Sequence, residues 1–357
     1  MTDGNILITG ASGSLGKQLL YEFTRRGVRP LAQVRGSSDT GFIDSLEVTK
    51  RLADLVSDKD LAPLVDGVDT VIHTAAWVNF RRDQASRFMN VNTFAAMRLF
   101  RAAQEAKVRR FVHISTVAAI GAVPRSNQTS SSGITRDGLV SEETAFNLEH
   151  LSIPYIVTKH AAEVELGKLA SASSTELVIV NPSIIVAPSR TGDDRYKASK
   201  RVSRLIMPCF PMRVNLVDIR DVAAGIIAAM EKGRPQQRYI IAGDNIGVRD
   251  LLLAVSSLLG RMPHLVEVPR TFLNASSRLA VLFDRLRGGG KLSFYPDLVK
   301  LLDYDWAYSS MKARDELGYS NRSIYITLTD LLHNNFVGTY QKPAQLPGTE
   351  TKKRRPS

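Results

Sequence analysis

Residues 5–27 constrain this chain more than any other stretch. Asn5-Ile6-Leu7-Ile8-Thr9 is a short apolar run ending in Gly10-Ala11-Ser12-Gly13-Ser14-Leu15-Gly16, and the helical spacing of Leu19, Leu20 and Phe23 follows until Gly27 stops it. A strand, a glycine-rich turn and a helix in that order open a dinucleotide-binding unit. Gly10 and Gly13 let the backbone turn tightly and approach a pyrophosphate lying on the helix N-terminus, with Ser12 and Leu15 in the same turn. Gly16 lets the helix pack on its sheet. Bare glycine spacing also occurs in turns that hold no ligand; the strand before and the helix after select the binding reading.

The second strand, Pro30 to Val34, ends at Arg35-Gly36-Ser37-Ser38. An NAD site usually carries an acid there for the ribose 2′-hydroxyl, and this chain has none. Arg35 can instead fork onto a 2′-phosphate, so the expected cofactor is NADP, with NAD as the alternative. Ala53-Asp54-Leu55 closes a third strand, where Asp54 either accepts from an adenine amino group or caps a helix. The fourth strand begins at Thr70 and ends in Thr74, Ala75 and Ala76, small residues against which a flat cofactor can lie; His73 reads as a packed histidine rather than a base. A helix is expected from about Asn90 to Ala106, with Val91, Phe94, Met97, Leu99 and Phe100 on its buried side. The fifth strand, Arg110 to Ile114, then delivers Ser115 and Thr116 to the carboxyl edge, where open α/β sheets bind ligands.

Tyr155 and Lys159 stand four residues apart, one helical turn, on one face. A phenol that titrates near ~10 becomes a proton donor and acceptor closer to neutrality beside a cation, so Lys159 is expected to lower the Tyr155 pKa. Taken alone, the five residues fit an ordinary amphipathic helix equally well, and the surrounding pattern decides. This helix runs to about Ala170, and Leu177 to Val180 is a sixth strand ending at Asn181-Pro182-Ser183. Such regular alternation specifies an α/β fold, a Rossmann-type doubly wound parallel sheet. The polar stretch Arg125 to Gly133 reads as a mobile loop over the site or as a plain surface loop. Beyond Ala187 the pattern loosens into helices near Val222–Lys232, Val248–Leu259, Thr271–Arg285 and Leu328–Thr339, a strand at Arg238–Ile241 and a flexible turn at Gly288-Gly289-Gly290. The expected organisation is a cofactor-binding domain over 1–187, a smaller, mostly helical substrate lobe over 188–340 with some elements returning to the sheet, and a disordered basic tail over 341–357.

At 357 residues and 44% hydrophobic, the chain can bury a large core. Its one cysteine, Cys209, excludes an intrachain disulfide and fits a reducing compartment, and six scattered histidines without paired Cys/His spacing give no metal site. No leader pattern precedes Asn5 and no apolar run approaches the roughly 18 residues of a membrane span, so the expected location is cytoplasmic. Part of the +12 net charge lies in Lys352-Lys353-Arg354-Arg355, a segment suited to nucleic acid or anionic lipid. Without an aromatic-interleaved basic platform it reads as a solvated tail, which leaves a small-molecule substrate as the expected partner and a homodimer open.

With these pieces placed, the chain resembles the extended short-chain dehydrogenase/reductases from Asn5 to about Phe336. The matching motifs are TGASGSLG at Thr9 to Gly16, HTAA at His73 to Ala76, VN at Val91-Asn92, IST at Ile114 to Thr116, YIVTK at Tyr155 to Lys159 and NPSIIVAP at Asn181 to Pro188. Gln33 to Arg35, Asn215 to Ile226 and Ser309 to Tyr319 narrow the likeness to the branch of dihydroflavonol reductases, 3β-hydroxysteroid dehydrogenases and hopanoid-associated sugar epimerases. The resemblance implies a catalytic triad of Thr116, Tyr155 and Lys159, with Ser115 as the alternative hydroxyl and Asn90 near the relay that holds Lys159 and water. It implies cofactor contacts from Gly10, Ser12, Gly13, Leu15, Gly16, Arg35, Asp54, Leu55, Thr74, Ala75, Ala76, Asn90, Tyr155, Lys159, Pro182 and Ser183. Thr116 stands where many relatives have Ser, Thr93 where a Gly is common, and Ala187 where a Gly often precedes Pro188. The expected activity is hydride transfer between NADP(H) and a secondary alcohol or its ketone. The alternatives are a cofactor-retaining sugar epimerase or dehydratase, an acyl-thioester reductase, and a non-catalytic NADP-sensing protein.

Overall fold

Seven short strands make the central sheet: β1 (Ile6–Thr9), β2 (Leu31–Val34), β3 (Lys50–Leu52), β4 (Thr70–His73), β5 (Arg110–Ile114), β6 (Glu176–Pro182) and β7 (Gln237–Ile241). In the computed structural model they lie all parallel in the order β7-β6-β5-β4-β1-β2-β3. The structure describes residues 5–78, 85–125, 133–188, 197–198, 206–276, 299–333, 336 and 339. Most of the Arg125–Gly133 stretch, the latter half of the expected 271–285 helix, the Gly288–Gly290 turn and the 341–357 tail lie outside them.

Both faces of the sheet are covered except at the exposed β3 edge, which is why its inner strands read as largely apolar runs. Alternation along β1 sends Ile6 and Ile8 to one face, against Leu19, Leu20 and Phe23 of α1 (Ser14–Arg25). Leu7 goes to the other face, with Val71, Leu99, Phe100 and Phe111. The chain steps outward from β1 to β2 and β3, then returns to place β4 on the far side of β1. That reversal opens a crevice at the carboxyl ends of β1 and β4, where a doubly wound sheet binds its ligand.

The helix expected from Asn90 begins earlier and is irregular. Ala85–Phe88 leads into a π-helical segment, Met89–Phe94, before α2 (Ala95–Glu105). The wider turn rotates the face that a 3.6-residue period assigns. Phe94, expected inside, is 50% exposed, while Asn92 and Thr93 are buried. Farther on, α3 (Pro154–Ala170) starts with proline at its first position, and α4 (Ile219–Lys232) packs its buried side on the main sheet.

The later part of the chain adds short strands that the sequence reading leaves unassigned. Ile184–Val186, Arg213–Asp218 and Asp244–Gly247 form a three-stranded sheet, and Ile206–Cys209 pairs with His264–Glu267. The helix expected at Leu328–Thr339 runs instead over Ile324–Leu332. Buried Asp218 ties these pieces together: it accepts from the Arg220 amide to cap α4, and it meets Arg220 at 2.7 Å, Arg322 at 3.2 Å and the Thr327 hydroxyl at 2.9 Å. Among the described residues no helix is long and apolar enough to cross a membrane, and no group of three His, Cys, Asp or Glu could hold a metal ion.

Candidate active site

The glycine-rich turn closes one wall of a cavity of about 330 Å³ at the β1/β4 crevice. Gly10 has φ +66°, and a Cβ on it would sit 2.8 Å from the Ala75 backbone. A Cβ on Gly16 would lie 2.4 Å from the Gly10 carbonyl, so this helix packs on this turn only without side chains there. Gly13 caps α1 without a side-chain hydrogen bond, and no acid occupies the first turn. The leading N–H groups are thereby left for an anion, which is the fit a dinucleotide pyrophosphate requires. Buried Gln33 fixes the arrangement by accepting from the Gly10 amide at 2.9 Å and donating to the Ala53 carbonyl at 2.6 Å.

Arg35 is exposed on the lining of this cavity, and its backbone N–H donates to the Ser38 hydroxyl at 3.0 Å. Ser12 donates to the same hydroxyl at 3.4 Å, so Ser12, Ser38 and Arg35 stand together on the cavity lining at the outer end of the second strand. One Asp54 carboxylate oxygen accepts from the Val56 amide at 2.9 Å, and so caps a turn rather than a helix. Arg87 lies over the Trp77 ring at 3.6 Å, on the lining of the same cavity.

A second, larger cavity of about 820 Å³ shares Leu15, Thr74, Ala76 and Val78 with the first. Thr116, Tyr155, Lys159, Ser115, Pro182 and Ser183 line it. Thr116 follows β5 in extended backbone, where its side chain accepts from the Ala118 amide at 3.3 Å. Burial pushes the Tyr155 pKa up, and a hydrogen bond with Thr116 opposes the shift. The downward shift expected from Lys159 is therefore absent. Lys159, 1% exposed, is turned under the sheet edge, where its ammonium donates to the Ile114 carbonyl at 2.7 Å. Desolvation lowers the Lys159 pKa to about 8, against an opposing pull from Glu163 one turn along α3. Asn181, at the end of β6, holds that glutamate at 2.6 Å and the Thr116 carbonyl at 3.0 Å.

Beneath the ammonium lie two buried imidazoles. The β4/β5 register sets His73 opposite His113 with stacked rings 5.5 Å apart. His113 Nε2 stands 3.5 Å from Lys159 Nζ, and His73 Nδ1 is 2.7 Å from the Thr9 hydroxyl. Burial and the neighbouring ammonium hold both rings neutral, with the His73 pKa lowered to about 3 and that of His113 well below its ordinary value.

Of the residues singled out from sequence, Gly10, Ser12, Gly13, Leu15, Gly16, Arg35, Asp54, Leu55, Thr74, Ala75 and Ala76 gather on the smaller cavity, and Thr116, Tyr155, Lys159, Pro182 and Ser183 on the larger. Asn90 joins neither and is exposed. The π turn brings in Asn92 instead: its amide accepts from the Trp77 N–H at 2.7 Å and donates to the Trp77 carbonyl and to the Thr158 hydroxyl. Asn92 thus clasps the segment after β4 to the helix that carries Tyr155 and Lys159. Its place in the quoted Val91-Asn92 pair was the one available signal.

Comparison with known proteins agrees with this geometry. Residues 6–242 match the model of the NAD dependent epimerase/dehydratase family, more than half of the chain. Sterol demethylase protein B of Methylococcus capsulatus is 28% identical over 325 residues, 87% of this chain and 92% of the relative. A protein of Synechocystis sp. whose name refers to dihydroflavonol 4-reductase is also 28% identical, over 91% of this chain and 93% of its own length. The crystal structure of gox2253 superposes with a TM-score of 0.75 at 27% identity, covering 94% of this chain and all of that one. This chain is an NAD(P)-binding enzyme of the NAD dependent epimerase/dehydratase family, within the dihydroflavonol-reductase-like branch of the extended short-chain dehydrogenase/reductases.

Proposed function

We propose that the protein is an NADP(H)-dependent oxidoreductase that interconverts a ketone and a secondary alcohol. The observation that carries this reading is the meeting of a cavity walled by the glycine turn with a second cavity lined by Thr116, Tyr155 and Lys159 in a shared crevice. The glycine turn and the uncapped start of α1 would hold the pyrophosphate, and Arg35 with Ser12 and Ser38 would hold a 2′-phosphate. Bound there, the reduced nicotinamide supplies a hydride to the carbonyl carbon, so that ketone, hydride and one proton make the alcohol.

The chain's own residues handle the proton. Tyr155 donates from its hydroxyl to the forming alkoxide, and its raised pKa keeps it protonated for that donation at neutral pH. Thr116 donates to the tyrosinate that remains, which is the hydrogen bond that already opposes the rise. Lys159 sits one turn below as a compact positive charge whose position Ile114, Glu163 and Asn181 fix. The segment before 187 would supply the cofactor side together with Thr116, Tyr155 and Lys159, and the segment after it the rest of the substrate side.

The test is absorbance at the reduced-nicotinamide band with purified protein and a panel of ketones. Net consumption of NADPH, faster than that of NADH, is the expected result. Tightly held cofactor with no net consumption alongside substrate isomerisation would instead assign a cofactor-retaining epimerase.

A further inference from the structure

We propose that the larger cavity takes a bulky, uncharged substrate with a hydrocarbon body, its one reacting oxygen at the Tyr155 end, and that it does not take a nucleotide sugar. This deepens the hydride-transfer reading above and rests on it. A nucleotide sugar brings a diphosphate and several hydroxyls, and each needs a partner once it leaves water. Among the described lining residues Lys159 is the one charged side chain, and its ammonium already faces the Ile114 carbonyl. No arginine is among those described lining residues to fork onto a phosphate.

The part of the cavity wall supplied after residue 206 includes Phe210, Met212, Val214, Leu301, Leu302 and Trp306, with Leu301 and Trp306 packed in the same cluster as Tyr155. Its polar groups are turned inward on the protein. The Asn215 amide donates to the Gly243 carbonyl and to Asn245, and accepts from the Gly243 N–H. Tyr308 donates to the Gly121 carbonyl at 3.0 Å, and the Trp306 indole N–H donates to the Leu301 carbonyl at 3.0 Å. That wall leaves sugar hydroxyls little to bond. By contrast, the Ser115 and Ser183 hydroxyls are buried without a partner, and they lie on the same cavity as Thr116 and Tyr155. Unmet hydroxyls beside the reacting pair and an apolar remainder describe an amphipathic guest: one oxygen function on a hydrocarbon frame. The volume of about 820 Å³, part of it nicotinamide space, leaves room for a body of several rings or a prenyl chain.

The two tryptophans of the chain divide between the cavities, Trp77 in the smaller and Trp306 in the larger, so binding can be read without turnover. Progesterone, geranylacetone and UDP-glucose are titrated against the NADP⁺-loaded protein by tryptophan emission, with Trp306→Phe identifying the cavity signal. The expected result is that at least one of the two hydrocarbon ketones binds tenfold or more tightly than UDP-glucose. Met212→Asp, and separately Leu302→Asp on another part of the wall, should each weaken that ketone at least tenfold while NADPH affinity is unchanged. Equal or tighter binding of UDP-glucose, no binding of either ketone, or insensitivity to both folded variants overturns the proposal. A ketone that binds but never consumes NADPH leaves the substrate class standing and removes the hydride-transfer reading. NADPH consumption with UDP-sugars alone does the reverse.

Discussion

Replacing Lys159 with methionine should change how stability depends on pH, and the structure sets the size of the change. The ammonium is 1% exposed and has a carbonyl at 2.7 Å and an imidazole nitrogen at 3.5 Å for partners. Its folded pKa is lowered from 10.5 to about 8. At about 1.4 kcal/mol per pKa unit, holding it charged below pH 8 costs the folded state roughly 3 kcal/mol. The unfolded chain keeps this proton up to about pH 10.5 and the folded chain only to about pH 8, so between those values the unfolded state binds more protons. Stability therefore rises with pH across that window, and the gain is lost as pH falls back through 8. Lys159→Met keeps the hydrocarbon and removes the charge, but it orphans the Ile114 carbonyl at a cost of about 1–3 kcal/mol. At pH 7 the two effects offset, leaving the variant between equal in stability and about 2 kcal/mol more stable. The sharper quantity is the difference between parent and variant, because the buried tyrosines with raised pKa values titrate in both proteins. Urea unfolding of both at steps from about pH 7 to pH 10 should show the parent gaining roughly 2–3 kcal/mol on the variant. Parallel stability curves would refute a desolvated, charged Lys159.

Tyr155→Phe should retain fold and NADPH affinity and lose about 10²–10⁴ in turnover, with Thr116→Val losing less; near-parental turnover by the phenylalanine variant on a confirmed substrate removes Tyr155 as the proton carrier. Arg35→Ala should weaken NADPH by roughly 10- to 100-fold and leave NADH nearly unchanged, measured by fluorescence titration of both, and equal losses would count against a 2′-phosphate contact. Gly10→Ala places a methyl 2.8 Å from the Ala75 backbone at φ +66°, so cofactor affinity should fall together with melting temperature; unchanged values would mean that the turn can open. The neutral buried imidazoles predict acid lability: the unfolded chain protonates near pH 6.5 while folded His73 resists to about 3, so stability falls as pH drops through that range. A His73→Leu variant should lose about 1.4 kcal/mol less per pH unit there, and an identical acid profile would exclude His73 as a source.

The glycine turn was legible because its constraint is local. A backbone that must have positive φ and approach another strand admits Gly10 and little else. The Tyr155–Lys159 spacing was legible for the same reason, since helical geometry alone puts both on one side. Other features depend on events that the local pattern does not encode. A single π turn replaced Asn90 with Asn92 and exposed Phe94, and no residue in Met89–Phe94 announces the wider turn. The hydrocarbon wall draws on Phe210, Met212, Leu302 and Trp306, brought together across about ninety residues of chain where Arg213 pairs with Asp305 and accepts from the Trp306 N–H. Hydrophobic residues at such separations look like any other core until the pairing is known.

The direction of the lysine ammonium was the least legible feature, and it alters the chemistry most. Sequence spacing implies a cation that pulls the phenol down, whereas the folded chain turns Nζ to the end of β5 and lets burial raise Tyr155. The sheet register explains why the ammonium can stay there. His73 and His113 face each other on β4 and β5, and both remain neutral next to Lys159, so no second positive charge competes beneath it. A charged imidazole at either position would repel the ammonium from below at short range in a poorly polarisable interior, where such repulsion is strong. The stacked neutral pair supplies an acceptor nitrogen at 3.5 Å instead. Glu163, held by Asn181, adds the attraction that opposes desolvation. The positive charge under the Thr116–Tyr155 pair is thus maintained at neutral pH by four side chains on three strands and one helix, at a cost in stability that an apolar residue would not impose.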